Sequence, residues 1–337
     1  ALTAYFYQQV KAERGRAAGE NFVAITDAGS ALQRYAEAHD FRRCFLNPAD
    51  VGGRFSVLTA FGMVPAALLG LDLDRMFNSA RTARAASGAD TPDADPSALR
   101  LGQAMARSAL AGRNKLTLLL SPQLRAFSVW VEQLVAESTG KSGIGIIPVI
   151  DEALPIGAYG ADRFFVAVTL AGDHTLDETL QALKGAGYEI DHHQLDDRYD
   201  LAGEFFRWEF AVAVAGALLA VNPFDEPDVV SSKQTTRRLL EGKKEEQANS
   251  IGEIRDDAGL TLRMPISLVD EDAGLSGQLL RFFQNAGPTN YLTLMPFLYM
   301  TDDVQNALSE LITALRAVLP LPVILNPGPR YLHSTGQ

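Results

Sequence analysis

Short apolar runs alternate along the chain with longer stretches in which apolar residues recur at helical spacing. A compact run rich in β-branched and aromatic residues predicts a buried strand, whereas the longer period predicts an amphipathic helix. The pattern predicts strands at 22–25, 43–46, 115–120, 146–150, 164–170, 188–192, 291–297 and 322–325. It predicts helices at 1–14, 31–39, 56–69, 122–138, 175–185, 205–219, 235–249 and 302–319. This alternation is typical of parallel sheets covered by helices, the α/β class.

Composition narrows the possible functions. The 337 residues carry 30 Lys and Arg against 41 Asp and Glu, a net charge of −11, which disfavours a nucleic-acid partner. The one cysteine, Cys44, excludes an intrachain disulfide framework and a Cys-clustered zinc site. The longest apolar candidate, 210–221, falls short of a membrane span, and the first residues do not have the pattern of a signal peptide. We therefore expect a soluble, acidic, cytoplasmic protein of about two domains.

Gln133 and Glu137 form the most informative polar pair. They are four residues apart, so a helix places them on one face, with Glu137 near its C-terminal end. The negative end of the helix dipole makes ionisation of a carboxylate less favourable there, which suits a general base. The alternative is a solvated glutamate beside a glycine that ends the helix.

The run GGRFS at 52–56 offers a second chemical group. Two glycines let the backbone approach a ligand closely, and Arg54 carries a permanent charge that can stabilise an oxyanion. The alternative is an arginine that covers a helix N-terminus after a flexible loop.

The remaining polar runs favour structural roles. Residues 26–30 suit a helix cap better than an anion site, because Asp27 would repel a phosphate. The five histidines show no metal-ligand spacing, and His192 and His193 are interpreted as a surface cluster rather than a ligand pair. The chain contains no G-x-S-x-G, Walker or G-x-G-x-x-G sequence, which disfavours hydrolase, nucleotidase and classical dinucleotide-binding functions.

Five motifs nevertheless occur together and in order: FVAITDAGS at 22–30, NPADVGGRFS at 47–56, FGMVPAA at 61–67, ESTGK at 137–141 and RYLHSTGQ at 330–337. With them the chain resembles the phosphoglucose isomerase part of bacterial bifunctional transaldolase/phosphoglucose isomerase proteins. The resemblance implies two doubly wound, flavodoxin-like sugar-isomerase (SIS) domains of three-layer αβα architecture, with the site between them. It divides the chain into 1–95, the remainder of a first SIS domain, 96–245, a second, and 246–337, an αβ segment that contributes to the site.

The resemblance also assigns roles to residues. It implies that Glu137 shuttles a proton between C1 and C2 of a hexose phosphate through a cis-enediol, and that Arg54 stabilises the enediolate. Gln133 would touch the sugar. The resemblance further assigns substrate contacts to Gly53, Lys141 and Gln337.

The chain departs from the family pattern in three places. The serine- and threonine-rich phosphate loops would precede residue 1, and the lysine of an H-K-G-G run would follow residue 337. The ring-opening histidine has no clear match, and Glu204 falls near its place as an acid/base candidate. The alternative for Glu204 is a surface carboxylate at the start of a helix, where the dipole favours it.

The resemblance implies interconversion of glucose 6-phosphate and fructose 6-phosphate without metal or organic cofactor. The expected partner is a phosphosugar, with no nucleic acid and no membrane, possibly a homodimer, and a transaldolase domain in the same parent chain. Two alternatives stay open: a non-catalytic SIS protein that binds a sugar phosphate, and an isomerase of a related phosphosugar such as mannose 6-phosphate.

Overall fold

The computed structural model describes residues 2–88, 96–225, 227–242, 251–255, 259–270, 272–287 and 289–333. The chain divides into two compact units. Unit 1 is formed by Ala1–Ala104, Val168–Asp173 and His193–Ala215, and unit 2 by Met105–Ala167, His174–His192 and Gly216–Gln337. The predicted division into 1–95, 96–245 and 246–337 stays a prediction.

Helices and strands alternate over most of the described chain. The helices are α1 Leu2–Arg14, α2 Ala31–Ala38, α3 Ala60–Leu68, α4 Leu73–Ala86, α5 Ser97–Leu110, α6 Phe127–Thr139, α7 Asp177–Gly185, α8 Leu201–Leu219, α9 Pro227–Leu240, α10 Leu275–Gln284 and α11 Asp302–Val318. The strands are β1 Val23–Asp27, β2 Arg43–Asn47, β3 Lys115–Leu120, β4 Ile147–Val149, β5 Arg163–Leu170, β6 Ile190–Leu195, β7 Ile251–Arg255, β8 Thr261–Pro265, β9 Leu292–Leu294 and β10 Val323–Leu325. The predicted α/β class, with parallel strands and flanking helices, is confirmed.

In unit 1, β1 and β2 pair in parallel from Val23 opposite Arg43 to Asp27 opposite Asn47. The turn between β1 and α2 caps the helix as predicted. The Ser30 side chain accepts the Gln33 backbone N–H at 3.0 Å, and Gly29 takes the left-handed conformation, at φ +74°, that glycine adopts readily.

In unit 2, β3 pairs in parallel with β4. The sheet has the order β4-β3-β5-β6, and residues 168–170 of β5 and 193–195 of β6 are assigned to unit 1. All eight residues of β5 are buried, as expected of a central strand covered on both faces. Side chains that include Leu119, Phe165 and Leu183 form a core beside this sheet. A second parallel pair, β9 with β10, packs with Ile312 of α11 in a smaller core.

The structure corrects several predicted boundaries. The helix expected at 56–69 begins only at Ala60, where Thr59 caps it. The strand expected at 188–192 spans Ile190–Leu195. The helix expected from 205 already begins at Leu201, because a capping turn anchored by Asp197 precedes it.

The charged stretch predicted as a helix at 235–249 begins earlier, as α9, which ends at Leu240. Residues 243–249 lie outside the described residues. The stretch 85–96, rich in Ala, Ser, Asp and Pro, predicts a turn between helices or a domain boundary, and its residues 89–95 also lie outside the described residues. The antiparallel pair of β7 and β8 was not predicted, since every second position of both strands is exposed and no strong apolar run marks them.

Glu209, in the middle of α8, is a carboxyl group withdrawn from water. Its Oε1 is buried and has no hydrogen-bond partner among the described residues. Burial raises the pKa of Glu209 to about 8, from a usual value of 4.5. The side chain is therefore protonated in the folded protein at neutral pH, where the unfolded chain would ionise it.

We expect Glu209→Gln to stabilise the protein at neutral pH. The stability that the wild-type carboxyl contributes is full below pH 4.5 and is lost as the pH rises to about 8, the pKa of this group in the folded protein. The variant should raise the free energy of unfolding by about 1–3 kcal/mol at pH 7.5 and by little near pH 4.5. Denaturant unfolding across this range measures the difference. The control is Glu310→Gln, at an exposed position of α11, and equal effects of the two changes would contradict the prediction.

Candidate functional site

The predicted pair on α6 is formed in the structure. Gln133 Nε2 donates a hydrogen bond to Glu137 Oε2 at 3.2 Å. The Glu137 residue is 5% exposed, and most of the helix around it is buried. The alternative of a solvated glutamate is therefore wrong, because the covered helix withdraws this carboxylate from bulk water. A buried carboxylate with an amide donor on one oxygen has a defined orientation, as a group that exchanges protons with a ligand needs.

The segment after Glu137 is held by its own side chains. Thr139 Oγ1 donates to the Val135 carbonyl at 2.8 Å and accepts the Ile146 N–H at 3.0 Å. A tight turn follows, in which the backbones of Lys141 and Ile144 bond to each other in both directions. These contacts fix the helix end that carries Glu137.

Lys141 is buried, and its ammonium group binds the loop after α8. Its Nζ lies 2.6 Å from Asp225 Oδ1, donates to the Asp225 carbonyl at 3.0 Å and also donates to the Asn222 carbonyl. An ammonium group has three hydrogens, so these contacts occupy it. In the structure Lys141 therefore stabilises a loop, and its contact with a substrate stays a prediction.

In unit 1, Gly53 and Arg54 lie in a short 3-10 turn that follows the loop after β2. Ser56 Oγ donates to the Gly53 carbonyl at 2.7 Å and closes this turn. Arg54 is 4% exposed, with its guanidinium 5.7 Å from the centre of the Phe55 ring. A Cβ built on Gly53 would meet no atom within 4 Å, so the backbone there is open to approach.

Glu204 lies inside unit 1 rather than on its surface. The residue is 1% exposed and accepts hydrogen bonds from His193 Nδ1, from Trp208 Nε1 at 3.1 Å and from Arg207 Nη1 at 3.4 Å. Burial by itself raises the pKa of Glu204, but the His193 bond, the charges of Arg207 and His193 and the Trp208 bond together hold that pKa below its usual range. Glu204 is therefore an anion at neutral pH.

The expectation of a histidine surface cluster is wrong for His193. Its side chain is 35% exposed, and the ring donates to the buried carboxylate of Glu204. A cavity of about 600 Å³ adjoins both residues, with Asn78 and Ser79 of α4 on another wall. The sequence contained a signal for this pairing, a histidine at a strand end close before an acidic helix start. It contained no signal for the burial of Glu204.

The predicted site residues are distributed over both units. Gly53, Arg54 and Glu204 belong to unit 1, and Gln133, Glu137 and Lys141 belong to unit 2. Gln337 lies outside the described residues. Within the described ranges, no three His, Cys, Asp or Glu side chains are grouped so that they could hold a metal ion. No helix in those ranges has the length and apolar character needed to cross a bilayer.

The chain is similar in sequence to several curated glucose-6-phosphate isomerases. The chain is 32% identical over 266 residues to a glucose-6-phosphate isomerase of Enterococcus faecalis, which covers 66% of the chain and 59% of that protein. The isomerase of Clostridioides difficile is 31% identical over 266 residues, which cover 66% of the chain and 58% of that protein. The isomerase of Fusobacterium nucleatum is 28% identical over 282 residues, which cover 71% of the chain and 62% of that protein. The chain thus spans about three-fifths of the length of these relatives. A scan against family models found no match.

Solved structures of similar fold agree with the architecture. A hypothetical protein from Thermus thermophilus superposes with a TM-score of 0.61 at 24% identity, covering 71% of the chain and 67% of that protein. A glucose-6-phosphate isomerase from Chlamydia trachomatis superposes with a TM-score of 0.56 at 17% identity, covering 73% of the chain and 57% of that protein. The chain therefore shares its α/β fold with these proteins and is similar in sequence to glucose-6-phosphate isomerases.

Proposed function

We propose that this chain performs the aldose–ketose isomerisation of glucose 6-phosphate and fructose 6-phosphate. The observation that carries the proposal is the buried, hydrogen-bonded pair of Gln133 and Glu137, in a chain about 30% identical to glucose-6-phosphate isomerases. We also propose that its domains are of the SIS type and that it is part of a bifunctional chain with a transaldolase domain. The homodimer and the cytoplasmic location stay predictions.

Glu137 is the proposed base. Its carboxylate removes the proton from C2 of the open-chain aldose, the carbonyl at C1 takes up the electron pair, and a cis-enediolate forms. Return of the carbon-bound proton to C1, with transfer of the O2 hydroxyl proton to O1 and the carbonyl re-formed at C2, gives the ketose. C1 is reduced as C2 is oxidised within the same molecule, so no external oxidant or reductant is needed. The Gln133 amide supports this role because its hydrogen bond orients the carboxylate within the helix face.

Arg54 is the proposed stabiliser of the enediolate. Arg54 is buried, and a guanidinium interacts strongly with an oxyanion in a site that excludes water. The open space at Gly53 supports close approach of a substrate to the same turn. Gly53 and Arg54 thus act together in the proposal, one by admitting the ligand and the other by its charge.

Glu204 receives a modified role in the proposal. A carboxylate that three donors hold as an anion is a poor proton donor. We therefore assign Glu204 to orienting the ring of His193 rather than to proton transfer. Its effect on the reaction would then pass through His193, as a positioning residue.

We expect Glu137→Gln to lower kcat at least about 10³-fold, since loss of a general base removes a contribution of this order. The variant keeps the size of the side chain, so folding followed by circular dichroism should be retained. The assay is interconversion of the two hexose phosphates by the intact protein, together with deuterium uptake from solvent at C1 and C2. The exposed Glu178→Gln on α7 serves as the control. Near-normal turnover or deuterium uptake in Glu137→Gln would reject the assignment and leave a binding protein as the better interpretation.

We expect Arg54→Lys to lower kcat about 10- to 100-fold while KM changes less. Lysine keeps the charge but lacks the planar fork of the guanidinium, and the interaction it weakens develops mainly in the transition state. Steady-state kinetics of the intact protein measures both constants. Arg84→Lys, at an exposed position of α4, is the matched change. A rise in KM alone would show that Arg54 binds the ground state, contrary to the proposed role.

A further inference from the structure

Unit 2 contains a basic cavity whose lining includes none of the residues with a proposed catalytic role. It has a volume of about 450 Å³, within the usual range for small-molecule sites. Its walls come from the N-terminal part of α6, one face of α11, and the residues that follow β4 and β10. Ligands of α/β proteins commonly bind beyond the carboxyl ends of parallel strands, which is where this cavity lies.

The lining of the cavity is positively charged, although the chain as a whole has a net charge of −11. Three arginines line the cavity, Arg125, Arg316 and Arg330, and the one acidic side chain in the described lining is Asp151. A cluster of cations at one concave place in an acidic protein attracts small anions locally, while the net charge repels polyanions.

The arginines are held in place by contacts around the rim. Asp151 binds two of them: its Oδ1 lies 3.0 Å from Arg125 Nε, and its carbonyl accepts from Arg316 Nη1 at 3.2 Å. Arg330 Nη1 lies 3.2 Å from the buried carboxylate of Glu132. Such fixed cations lose little conformational freedom when an anion binds.

The three side chains have different capacities for a ligand. Arg316 donates from Nε and Nη2 to the Val323 carbonyl and from Nη1 to Asp151, so it supplies charge and rigidity. Within the described residues, Arg125 donates a hydrogen bond only through Nε, and Arg330 makes an ion pair through Nη1. Because a guanidinium has five N–H groups, both retain donors for a bidentate contact with an anion.

The α11 wall provides acceptors for hydroxyl groups. Ser309 Oγ and Thr313 Oγ1 each donate to the carbonyl four residues earlier, at 2.8 Å, which leaves their lone pairs for a donor from the cavity. Gln305 lies one turn before Ser309 on the same wall. The wall is thus suited to a polyhydroxylated molecule, and the arginines to an anionic group on it.

We infer that this cavity binds a phosphate monoester of a small polyhydroxylated molecule. The phosphate would contact Arg125 and Arg330, and the hydroxyls would contact α11. The inference stands on this cavity and does not depend on the role of Glu137. Val129, in the lining, lies two helical turns before Glu137 on the same face of α6, a distance of about 12 Å along the helix. The phosphate could therefore come from the isomerase substrate or from a separate metabolite.

The first experiment measures binding of inorganic phosphate to the intact protein by calorimetry at constant ionic strength. We expect saturable binding that Arg125→Gln weakens about tenfold and Arg125→Lys weakens less. Arg125 is 72% exposed, so its replacement should not disturb folding. The control is Arg113→Gln, another exposed arginine of unit 2 paired with a carboxylate, Glu189 at 3.2 Å. Absence of saturable binding, or equal affinity in Arg125→Gln and Arg113→Gln, would overturn the inference.

A second variant tests the part of Arg330, whose ion-pair partner Glu132 is buried. Arg330→Gln combined with Glu132→Gln removes both charges together, so no uncompensated charge is left inside the protein. This double variant should also weaken phosphate binding about tenfold. Unchanged affinity in the folded double variant would contradict the part assigned to Arg330.

Steady-state kinetics with fructose 6-phosphate distinguishes the two sources of the phosphate, the isomerase substrate and a separate metabolite. If Arg125→Gln raises KM in step with the loss of phosphate affinity, the cavity holds the phosphate of the substrate. If phosphate affinity falls while KM is unchanged, the ligand is a separate phosphorylated metabolite. The inference about the cavity is supported in both cases. Activity lost in Glu137→Gln tests the isomerase proposal independently of these results.

Discussion

The interior of each unit contains ionised side chains, and the structure depends on their being matched by opposite charge. An isolated carboxylate in a protein interior is strongly destabilising, and removal of one partner of a buried pair leaves such a charge behind. In unit 2, Glu152 lies 2.7 Å from Arg163 and 3.9 Å from Arg316. These contacts join the segment after β4 to β5 and to α11. The matching of charges therefore determines how the sheet and the last helix of the unit are connected.

The same constraint explains why α6 carries so much of the proposed chemistry. A helix buried on most sides would ordinarily be apolar, yet this one contains Glu132, Gln133 and Glu137. Glu132 accepts a hydrogen bond from the amide of Asn326 at Oε1 and forms an ion pair with Arg330 through Oε2. Glu137 has the Gln133 amide as a neighbour one turn away. Polar groups on such a helix are oriented by few, specific contacts, which is a favourable condition for proton transfer.

The basic cavity and the proposed catalytic pair use the same helix in different ways. The pair requires a carboxylate withdrawn from water, because hydration by bulk solvent would weaken the carboxylate as a base. The cavity requires guanidinium groups that reach solvent, since an incoming anion must exchange its hydration shell for them. Asp151 follows β4, and its carboxylate and carbonyl hold two arginines of the cavity in place. Arg316 belongs both to the cavity and to the buried ion pairs of Glu152.

Apolar periodicity determined most of the fold. It located β3 at its observed bounds and α11 to within one residue, because their patterns are strong and local. It also placed Gln133 and Glu137 on one helical face, a consequence of the four-residue spacing alone. The pair of β7 and β8 was missed, since its strands bury little and so leave a weak pattern. Only the tertiary structure decided that the buried Glu204 binds the half-buried His193, that Lys141 holds the loop at Asp225 and that three arginines surround one cavity. Burial and ionic partners arise from residues far apart in the chain, and no local pattern encodes them.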